Sequence, residues 1–305
     1  MLQMISIGIP TYNQADYLGL TIESLLKQTV RPLEIVVSDN WCTDHTGQVL
    51  DSYKEYIKVV KPQKHLTMME NWNFLASQLN GEWFSLISSD DLVLPNFVSD
   101  FSQAISAHPD AALIRAPYEA INADGDILSR RSSFLAKKVR SYPENLYEQI
   151  RNTKTSFAAF CVNTQKAKNV GMFPEELMLF GDWGLWLKLS KAGDFVTLPE
   201  VTSQYRTAYR DKQVKASRHL AALNDRTFIR CNLIPSLSRG LFTSSLNAYG
   251  ASVNIREALK EKYDDVEDMK MRDKALQCLY GLKSTILRRM IGLVLTKLYR
   301  IRTIK

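Results

Sequence analysis

The sequence predicts an α/β fold: a mostly parallel, Rossmann-like sheet with helices on both faces, followed by a helical C-terminal extension. Short apolar runs alternate with amphipathic stretches along the first part of the chain, and polar turn-forming residues follow several of these runs. Beyond Arg210 the pattern is helical without a clear strand. Because right-handed crossovers connect parallel strands, the alternation places helices on both faces of one sheet.

The first strand is predicted at residues 4–9, a β-branched and apolar run that ends at Pro10. A helix follows at 16–28, where apolar side chains recur at the spacing of one helical face. Continued alternation predicts strands at 33–37, 57–60 and 83–87 and helices at 43–56 and 71–78. Ligands of open α/β sheets bind at the carboxyl ends of strands, so the polar turns there are expected to converge on one crevice.

The remainder of the chain is less regular and then helical. Helices are predicted at 97–107 and 182–192 and a strand at 112–115. The 305 residues suffice for a sizeable core. The changes of pattern divide them into two halves of one α/β domain, 1–100 and 101–210, and a helical extension at 211–305.

The distribution of charge argues against a nucleic-acid-binding protein. The formal net charge is +7, but residues 281–305 contain seven basic side chains and no acidic one, so the preceding body is formally neutral. The four cysteines are far apart and lack the spacing of a zinc site. No secretory signal begins the sequence, and we therefore expect a cytoplasmic protein.

Carboxylates follow two of the predicted strands. Asp90 and Asp91 come directly after the strand at 83–87, and Asp39 follows the strand at 33–37. Paired carboxylates at a strand end suit hard divalent ions such as Mg²⁺ or Mn²⁺, which take further ligands from substrate phosphates. Asp39 is placed to accept a hydrogen bond from a base or ribose. The alternative for all three is turn formation, which also favours Asp.

A further aspartate, Asp182, comes at the start of a predicted helix with an apolar face. One interpretation is an N-cap, whose oxygen satisfies free backbone N–H groups. The other is a general base that accepts the proton of a substrate hydroxyl. The residue pattern alone leaves both open.

Several separated motifs together resemble the inverting glycosyltransferases of family 2, which have the GT-A fold. Residues 7–13, Ile-Gly-Ile-Pro-Thr-Tyr-Asn, are similar to the first strand and nucleotide-binding loop of that family. Residues 38–44, Ser-Asp-Asn-Trp-Cys-Thr-Asp, resemble its nucleobase segment, and 88–91, Ser-Ser-Asp-Asp, its Asp-x-Asp metal motif. Gly-Asp-Trp at 181–183 is similar to its catalytic-base motif, and Tyr-Arg at 205–206 to a motif near the donor phosphates.

The resemblance covers about the first 210 residues and implies a GT-A type fold and a hexosyltransferase type of activity. The first half then binds the nucleotide sugar and the second half the acceptor. It implies that Pro10, Thr11, Tyr12, Asp39, Asp90 and Arg206 bind the donor, that Asp90 or Asp91 holds Mn²⁺ or Mg²⁺, and that Asp182 is the catalytic base. The commonest donor of the family is a UDP-sugar.

Three residues depart from the family pattern. Ser88 stands in place of the first Asp of the metal motif, Gly181 in place of a Glu, and Ala208 where His is common. These departures leave an alternative open, a sugar-nucleotide-binding protein with impaired catalysis. A nicotinamide dehydrogenase is disfavoured because the first strand is not followed by a glycine-rich fingerprint.

The basic tail at 282–305 predicts a peripheral membrane protein. A basic amphipathic helix lies on an anionic membrane, at the inner face of the cytoplasmic membrane, where a lipid-linked saccharide acceptor is found. The resemblance extends this to surface polysaccharide or glycolipid assembly. The alternative is a terminal helix that packs on the body or forms a homodimer contact.

Overall fold

The computed structural model describes residues 4–131, 138–151, 155–207, 212–238, 240–259 and 266–282. In its first part, strands and helices alternate as the sequence predicts, and the boundaries differ from the expected ones by a few residues. The elements are β1 (Ile5–Thr11), α1 (Ala15–Leu26), β2 (Glu34–Asp39), α2 (Thr46–Ser52), β3 (Lys58–Val60), α3 (Met68–Ser77) and β4 (Trp83–Leu86).

The second part holds more strands than the sequence predicts. Its elements are β5 (Leu92–Val93), α4 (Phe97–Ala107), β6 (Ala111–Arg115), β7 (Tyr118–Ile121), β8 (Ile127–Arg131), β9 (Val139–Arg140), α5 (Glu144–Arg151), β10 (Phe160–Asn163), α6 (Thr164–Asn169), α7 (Gly181–Leu189), β11 (Asp194–Thr197) and β12 (Ser203–Arg206).

The C-terminal extension is helical over its described residues, in agreement with the sequence. It consists of α8 (Lys212–Phe228), a π-helical segment (Ile229–Leu233), α9 (Ile234–Leu237), α10 (Leu241–Ala258) and α11 (Val266–Gly281). Within the described ranges, no helix combines the length and apolar character needed to cross a membrane. Of the predicted basic tail, residues 283–305 lie outside the described residues.

An eight-stranded sheet in the order β3-β2-β1-β4-β10-β6-β11-β9 forms the centre of the α/β domain. β1, β2, β3 and β4 are parallel, which confirms the predicted arrangement of the first half. β10 runs antiparallel to both of its neighbours, and β9 runs antiparallel to β11. A smaller sheet, β5-β12-β7-β8, stands beside the main one.

Helices cover both faces of the main sheet. Side chains of α1 and α4 form one core with the face that carries Ile5, Ile7 and Ile9 of β1. Side chains of α3 and α7 form a second core on the opposite face with Phe84 and Leu86 of β4. Helix α3 approaches β1 closely at Gly8, where a Cβ atom would lie 3.0 Å from Leu75.

The extension packs on the α/β domain through a third core. Ile229 of the π-helical segment, Ile234 of α9 and Leu246 of α10 are buried against Trp183 and Leu187 of α7, together with Leu146 and Ile150 of α5. The helix that begins with the predicted catalytic motif is therefore held between the main sheet and the extension.

Candidate active site

A cleft opens at the carboxyl ends of β1, β2 and β4. Pro10, Thr11 and Tyr12 line it at the end of β1, and Asn40 lines it after β2. The turn after β4 contributes Ser88, Ser89 and Asp90, and the start of α3 contributes Met68, Asn71 and Trp72. The three polar turns therefore meet at one crevice, as expected for an open α/β sheet.

The turns after β1 and β2 are tied to each other by polar side chains. Asn13 has a positive φ of 52°, and its side-chain oxygen accepts a hydrogen bond from the Thr43 amide at 2.8 Å. Asp44 accepts one from the Ala15 amide, the first residue of α1, at 3.1 Å. Asparagine and aspartate tolerate such turn conformations because their short side chains bond to nearby backbone. The loop that carries Tyr12 is thus fixed from the neighbouring strand.

Asp39 lies at the end of β2, where it is mostly buried. Its carboxylate accepts hydrogen bonds from the Lys61 Nζ at 2.7 Å and from the Cys42 amide at 2.9 Å. Burial raises the pKa of Asp39, but these hydrogen bonds outweigh it and the net pKa lies below the usual value. Asp39 is therefore ionised at neutral pH and is already engaged with a cation.

Aromatic and amide groups shape the wall beside Asp39. The Tyr12 ring is half exposed and lies 4.6 Å from the His65 ring, centroid to centroid. The Asn40 side chain holds the segment of His65 in place, since it accepts from the Leu66 amide and donates to the Leu66 carbonyl, both at 2.9 Å. The cleft is thus lined by the tilted rings of Tyr12 and His65 and by Asn40, whereas Asp39 itself is not among the lining residues.

The two aspartates after β4 have different environments. Asp90 lines the cleft, and its Oδ1 accepts a hydrogen bond from the Ser88 hydroxyl at 2.6 Å. Asp91 is fully buried; its Oδ1 accepts from the Arg206 amide at 2.8 Å, and its Oδ2 has no hydrogen-bond partner. Burial and the adjacent Asp90 carboxylate raise the pKa of Asp91 well above its usual value. Of the two, Asp90 is the residue that faces the cleft.

The donor set for a divalent ion is small. Within the described residues, no group of three or more His, Cys, Asp or Glu side chains is arranged to hold a metal. Ser88, which replaces an expected Asp, donates to Asp90 instead of adding a second charge. Such a site fits an ion that keeps waters and takes its other ligands from substrate phosphates, as Mg²⁺ and Mn²⁺ do.

Arg206 is buried at the end of β12, behind the Asp90 turn. Its guanidinium donates hydrogen bonds to the Asp90 carbonyl at 2.8 Å and to the carbonyls of Asn122 and Ala123 at 2.8 and 2.6 Å. It also lies 4.6 Å over the Tyr17 ring. The described contacts of Arg206 thus fix the Asp90 turn from behind.

Asp182 is the second residue of α7, in its first turn. The N-cap of the helix is Phe180 and not Asp182, although Asp182 does accept a hydrogen bond from the Trp183 amide at 2.7 Å. The pKa of Asp182 is raised to about 7, chiefly by burial; hydrogen bonds from backbone N–H groups lower it, and the nearby Asp225 carboxylate adds a smaller upward effect. A carboxylate with this pKa exchanges a proton readily near neutral pH.

Gly181 packs against α3, the helix whose first turn lines the cleft; Asp182 itself is not among the lining residues. A side chain at position 181 would collide with the sulfur of Met69 in α3, and the adjacent Met68 lines the cleft. The space that a family Glu would occupy is therefore filled by Met69. This contact gives a physical reason for the departure from the family pattern.

Several groups of this site were not predicted from the sequence. The clamp formed by Asn40, the ring of His65 beside Tyr12 and the Asp225 carboxylate near Asp182 all depend on contacts between distant segments. The side-chain oxygen of Asn71, which lines the cleft, accepts a hydrogen bond from the Ser38 hydroxyl at 2.6 Å. Ala208 lies outside the described residues.

Solved structures share this architecture. The structure of S. aureus TarS 1-349 has a TM-score of 0.70 and 18% sequence identity, covering 92% of this chain and 81% of that one. The mannosyltransferase PcManGT from Pyrobaculum calidifontis, in complex with GDP-Man and Mn²⁺, has a TM-score of 0.57 and 14% identity, covering 98% and 85%. These likenesses establish the fold, a GT-A type.

Curated glycosyltransferases also match the chain, but only over part of their own length. The glycosyltransferase GlyG of Streptococcus pneumoniae is 27% identical over 129 residues, 41% of this chain and 43% of the relative. Chondroitin synthase of Escherichia coli is 23% identical over 274 residues, 87% of this chain and 37% of the relative. The matched part thus spans less than half the length of these two proteins.

The match to a family model shows the family of the chain. The model of glycosyl transferase family 2 matches residues 6–169, which is more than half of the chain and includes the turns of Tyr12, Asp39 and Asp90. The order of elements agrees with the resemblance of the sequence motifs. The chain belongs to glycosyl transferase family 2.

Proposed function

We propose that the protein is an inverting, metal-dependent glycosyltransferase of the hexosyltransferase type, which moves a sugar from a nucleotide-diphosphate donor to an acceptor hydroxyl. The observation that carries the proposal is the Asp182 carboxyl, whose pKa of about 7 suits a general base and which begins a helix in contact with the cleft-lining α3. Family membership supports the transferase class.

On the donor side, Tyr12 and Asp39 bind the nucleoside. The half-exposed Tyr12 ring offers a stacking surface, and the ionised Asp39 accepts a hydrogen bond from the base or ribose. Pro10 and Thr11 bound the same pocket. We propose a UDP-sugar as donor, which the complexes of TarS 1-349 with UDP and with UDP-GlcNAc support by likeness of fold.

At the turn after β4, Asp90 holds Mn²⁺ or Mg²⁺ together with the donor diphosphate, and Asp91 supports the turn from beneath. When bound, a divalent ion supplies Lewis acidity that stabilises the charge of the leaving diphosphate. PcManGT, a neighbour in fold, was solved with GDP-Man and Mn²⁺. Arg206 contributes to donor binding by fixing the Asp90 turn through the Asp90 carbonyl.

On the acceptor side, Asp182 accepts the proton of the attacking hydroxyl. The acceptor oxygen forms a bond to the anomeric carbon while the bond from that carbon to the diphosphate oxygen breaks, so the configuration inverts. The pair of electrons of the broken bond leaves with the nucleoside diphosphate. Proton removal by a positioned carboxylate contributes about 10²- to 10⁴-fold to such reactions.

We further propose a saccharide or lipid-linked saccharide as acceptor, in the assembly of a surface polysaccharide or glycolipid. The likeness to a chondroitin synthase over 274 residues supports a saccharide acceptor. We also propose a cytoplasmic location at an anionic membrane surface, with contact through residues 282–305, and the basic composition of that segment supports it. The alternative role of the same segment is a homodimer contact.

The test is metal-dependent consumption of a nucleotide sugar. A thermal-shift screen of nucleotide sugars, with and without Mn²⁺, identifies the donor that stabilises the protein. Hydrolysis or transfer of that donor is then followed in the purified protein and in Asp182→Asn. We expect activity that requires the metal and is lost in the variant; equal turnover in the variant removes Asp182 from the mechanism.

A second candidate function is a sugar-nucleotide-binding protein with impaired catalysis. The small donor set around Asp90 favours it, because Ser88 supplies a hydroxyl in place of a carboxylate. The same screen separates the two. Donor stabilisation without any metal-dependent turnover, in the presence of a panel of saccharide acceptors, supports the binding protein.

A further inference from the structure

A carboxylate of the C-terminal extension binds the segment that leads into α7. Asp225, on α8, is 2% exposed. Its oxygens accept hydrogen bonds from the Met178 amide at 2.9 and 3.0 Å, and Oδ2 also accepts from the Leu179 amide at 2.7 Å and the Phe180 amide at 2.9 Å. Three successive backbone N–H groups therefore point at one buried carboxylate from a distant part of the chain.

These contacts take the place of a local helix cap. The N-cap position of α7 is Phe180, whose side chain makes no capping hydrogen bond. The N–H groups before and within a first helical turn lack intrahelical partners and favour a negative charge. Asp225 supplies that charge at the entry to the helix, two residues before Asp182.

Two arginines of the extension also contact residues at the start of the same helix. The Arg226 guanidinium lies 5.3 Å over the Phe180 ring, and that of Arg230 lies 5.4 Å over the Trp183 ring. Arg230, in the π-helical segment, also donates to the Ile150 carbonyl at 3.0 Å. Groups from α8 and the π-helical segment thus contact the residues on both sides of the 181–182 pair.

We propose that Asp225 is a positioning residue for the transfer reaction: by binding the N–H groups of 178–180 it fixes the start of α7 and with it the Asp182 carboxyl. The inference rests on the proposed role of Asp182 as the base. It gives the C-terminal extension a role in catalysis, because Asp225 belongs to that extension. Asp225 itself touches no reacting atom.

The two carboxylates also interact electrostatically. The negative charge of Asp225 is one of the causes that raise the pKa of Asp182, after burial. Other charged groups near α7 are Arg226, Arg230, Glu176 and Lys188; the Lys188 Nζ donates to the Gly171 and Met172 carbonyls and interacts electrostatically with Glu176. Loss of the Asp225 charge therefore leaves the burial of Asp182 in place and lowers its pKa.

The first experiment compares Asp225→Asn with Asp273→Asn, the same chemical change at an exposed position of α11. In Asp225→Asn we expect kcat to fall about 10- to 100-fold, since small displacements of a catalytic group have effects of this size. The Kd of the donor is expected to stay within twofold, and the acid limb of the kcat/KM profile to move to lower pH. A kcat within twofold of the parent, or loss of donor affinity equal to the loss of kcat, overturns the proposal.

Asp225→Glu, which keeps the charge but shifts the oxygens, serves as the second variant. We expect it to lower kcat without moving the acid limb. Turnover is expressed per donor-binding site, so that unfolded protein does not count. If neither variant folds, Asp225 maintains the fold as a whole and the positioning role is wrong.

A readout that needs no turnover separates this inference from the proposed function. Carbon-13 NMR of the aspartate carboxyls, with Asp182→Asn for assignment, measures the pKa of Asp182 in the parent protein and in Asp225→Asn. Hydrogen exchange measures protection of the 178–180 amides. We expect a lower pKa and faster exchange in the variant; unchanged values overturn the inference even if transfer is observed, and inactivity of the parent protein overturns only the function.

Discussion

The proposed donor side, at Asp39, and the proposed base side, at Asp182, each depend on an aspartate, but the two aspartates have opposite environments. Asp39 receives hydrogen bonds from a lysine and a backbone amide, which lower its pKa despite burial. Asp182 is partly buried near another carboxylate, and its pKa rises to about 7. The environment thus keeps one aspartate ionised and lets the other change its protonation state near neutral pH.

The two sides also differ in which part of the chain supplies the residues that hold each aspartate in place. Asp39 and its partners Lys61 and Cys42 lie within residues 6–169, the part that matches the family model. Asp182 lies beyond that part, and Asp225, which binds the segment before it, belongs to the helical extension. The proposed nucleotide contacts therefore lie within the family match, whereas the proposed base follows a segment that is bound by the last third of the chain.

The largest expected effect is a loss of turnover without a loss of donor affinity. Asp182→Asn should lower turnover by about 10² or more, because the proton acceptor is lost while the Asp39 pocket is unchanged. Steady-state kinetics and donor binding by calorimetry measure the two quantities. Asp51→Asn, at an exposed position of α2, is the matched control. A variant that loses donor affinity and keeps turnover contradicts the division of roles.

The next effect concerns stability and pH. The pKa of Asp182 is raised in the folded state, so the folded protein binds the proton more tightly than the unfolded chain and loses stability as the pH rises from about 4 to about 7. Asp182→Asn mimics the neutral carboxyl. It should therefore exceed the parent protein in free energy of unfolding at pH 8, by at most about 4 kcal/mol. Denaturant titrations at pH 5 and pH 8 check this, and an equal difference at both values would disprove it.

A smaller effect is expected on the donor side. Asp39→Asn removes the charge that pairs with Lys61 and binds the nucleoside, and should weaken nucleotide affinity about 10- to 30-fold, the size of a hydrogen bond to a charged group. The kcat at saturating donor should change less than twofold. Lys61→Met tests the partner separately and should have a milder effect. A drop in kcat for Asp39→Asn at saturation would mean that the two sides are not independent.

The smallest effect tests the contact that joins the two sides. Gly181→Ala places a methyl group against the Met69 sulfur, a flexible side chain that yields at a cost of about 1–2 kcal/mol in unfolding free energy. In a Met69→Ala background the same substitution should cost less, because the space is vacant. Chemical denaturation of the four proteins gives the coupling. Additive losses would show that Met69 does not fill the position of the missing Glu.

Much of the first half was predictable because its periodicity is strong. Alternation of apolar runs with helical stripes predicts β1, α1, β2 and α3, and the bounds of α4 at Phe97–Ala107 agree with those expected. The smaller sheet was missed, since strands such as Tyr118–Ile121 and Ser203–Arg206 are four residues long and carry charged or polar side chains. Short strands of this kind give no clear periodic signal.

The candidate site was predictable in its residue types but not in its contacts. The motifs indicate which aspartates lie near the cleft, yet Asp90 and Asp91 are neighbours in sequence and only the structure separates the cleft-facing one from the buried one. Arg206 resembles a phosphate-binding residue, whereas the described hydrogen bonds of its guanidinium go to backbone carbonyls from 83 to 116 residues away. Contacts at such separations leave no trace in local pattern. The division into halves at residue 100 stays a prediction.

The hydrogen bonds between Arg206 and the Asp90 turn limit where the chain can be truncated. Arg206 reaches the turn after β4 through both its amide and its guanidinium, and the Thr202 carbonyl accepts from the Leu94 amide at 2.8 Å. A fragment that stops at residue 169 keeps the turns of Tyr12, Asp39 and Asp90 but loses Arg206 and β12, and with them the hydrogen bonds that hold the Asp90 turn. The family match at residues 6–169 is therefore shorter than the smallest fragment that keeps these contacts.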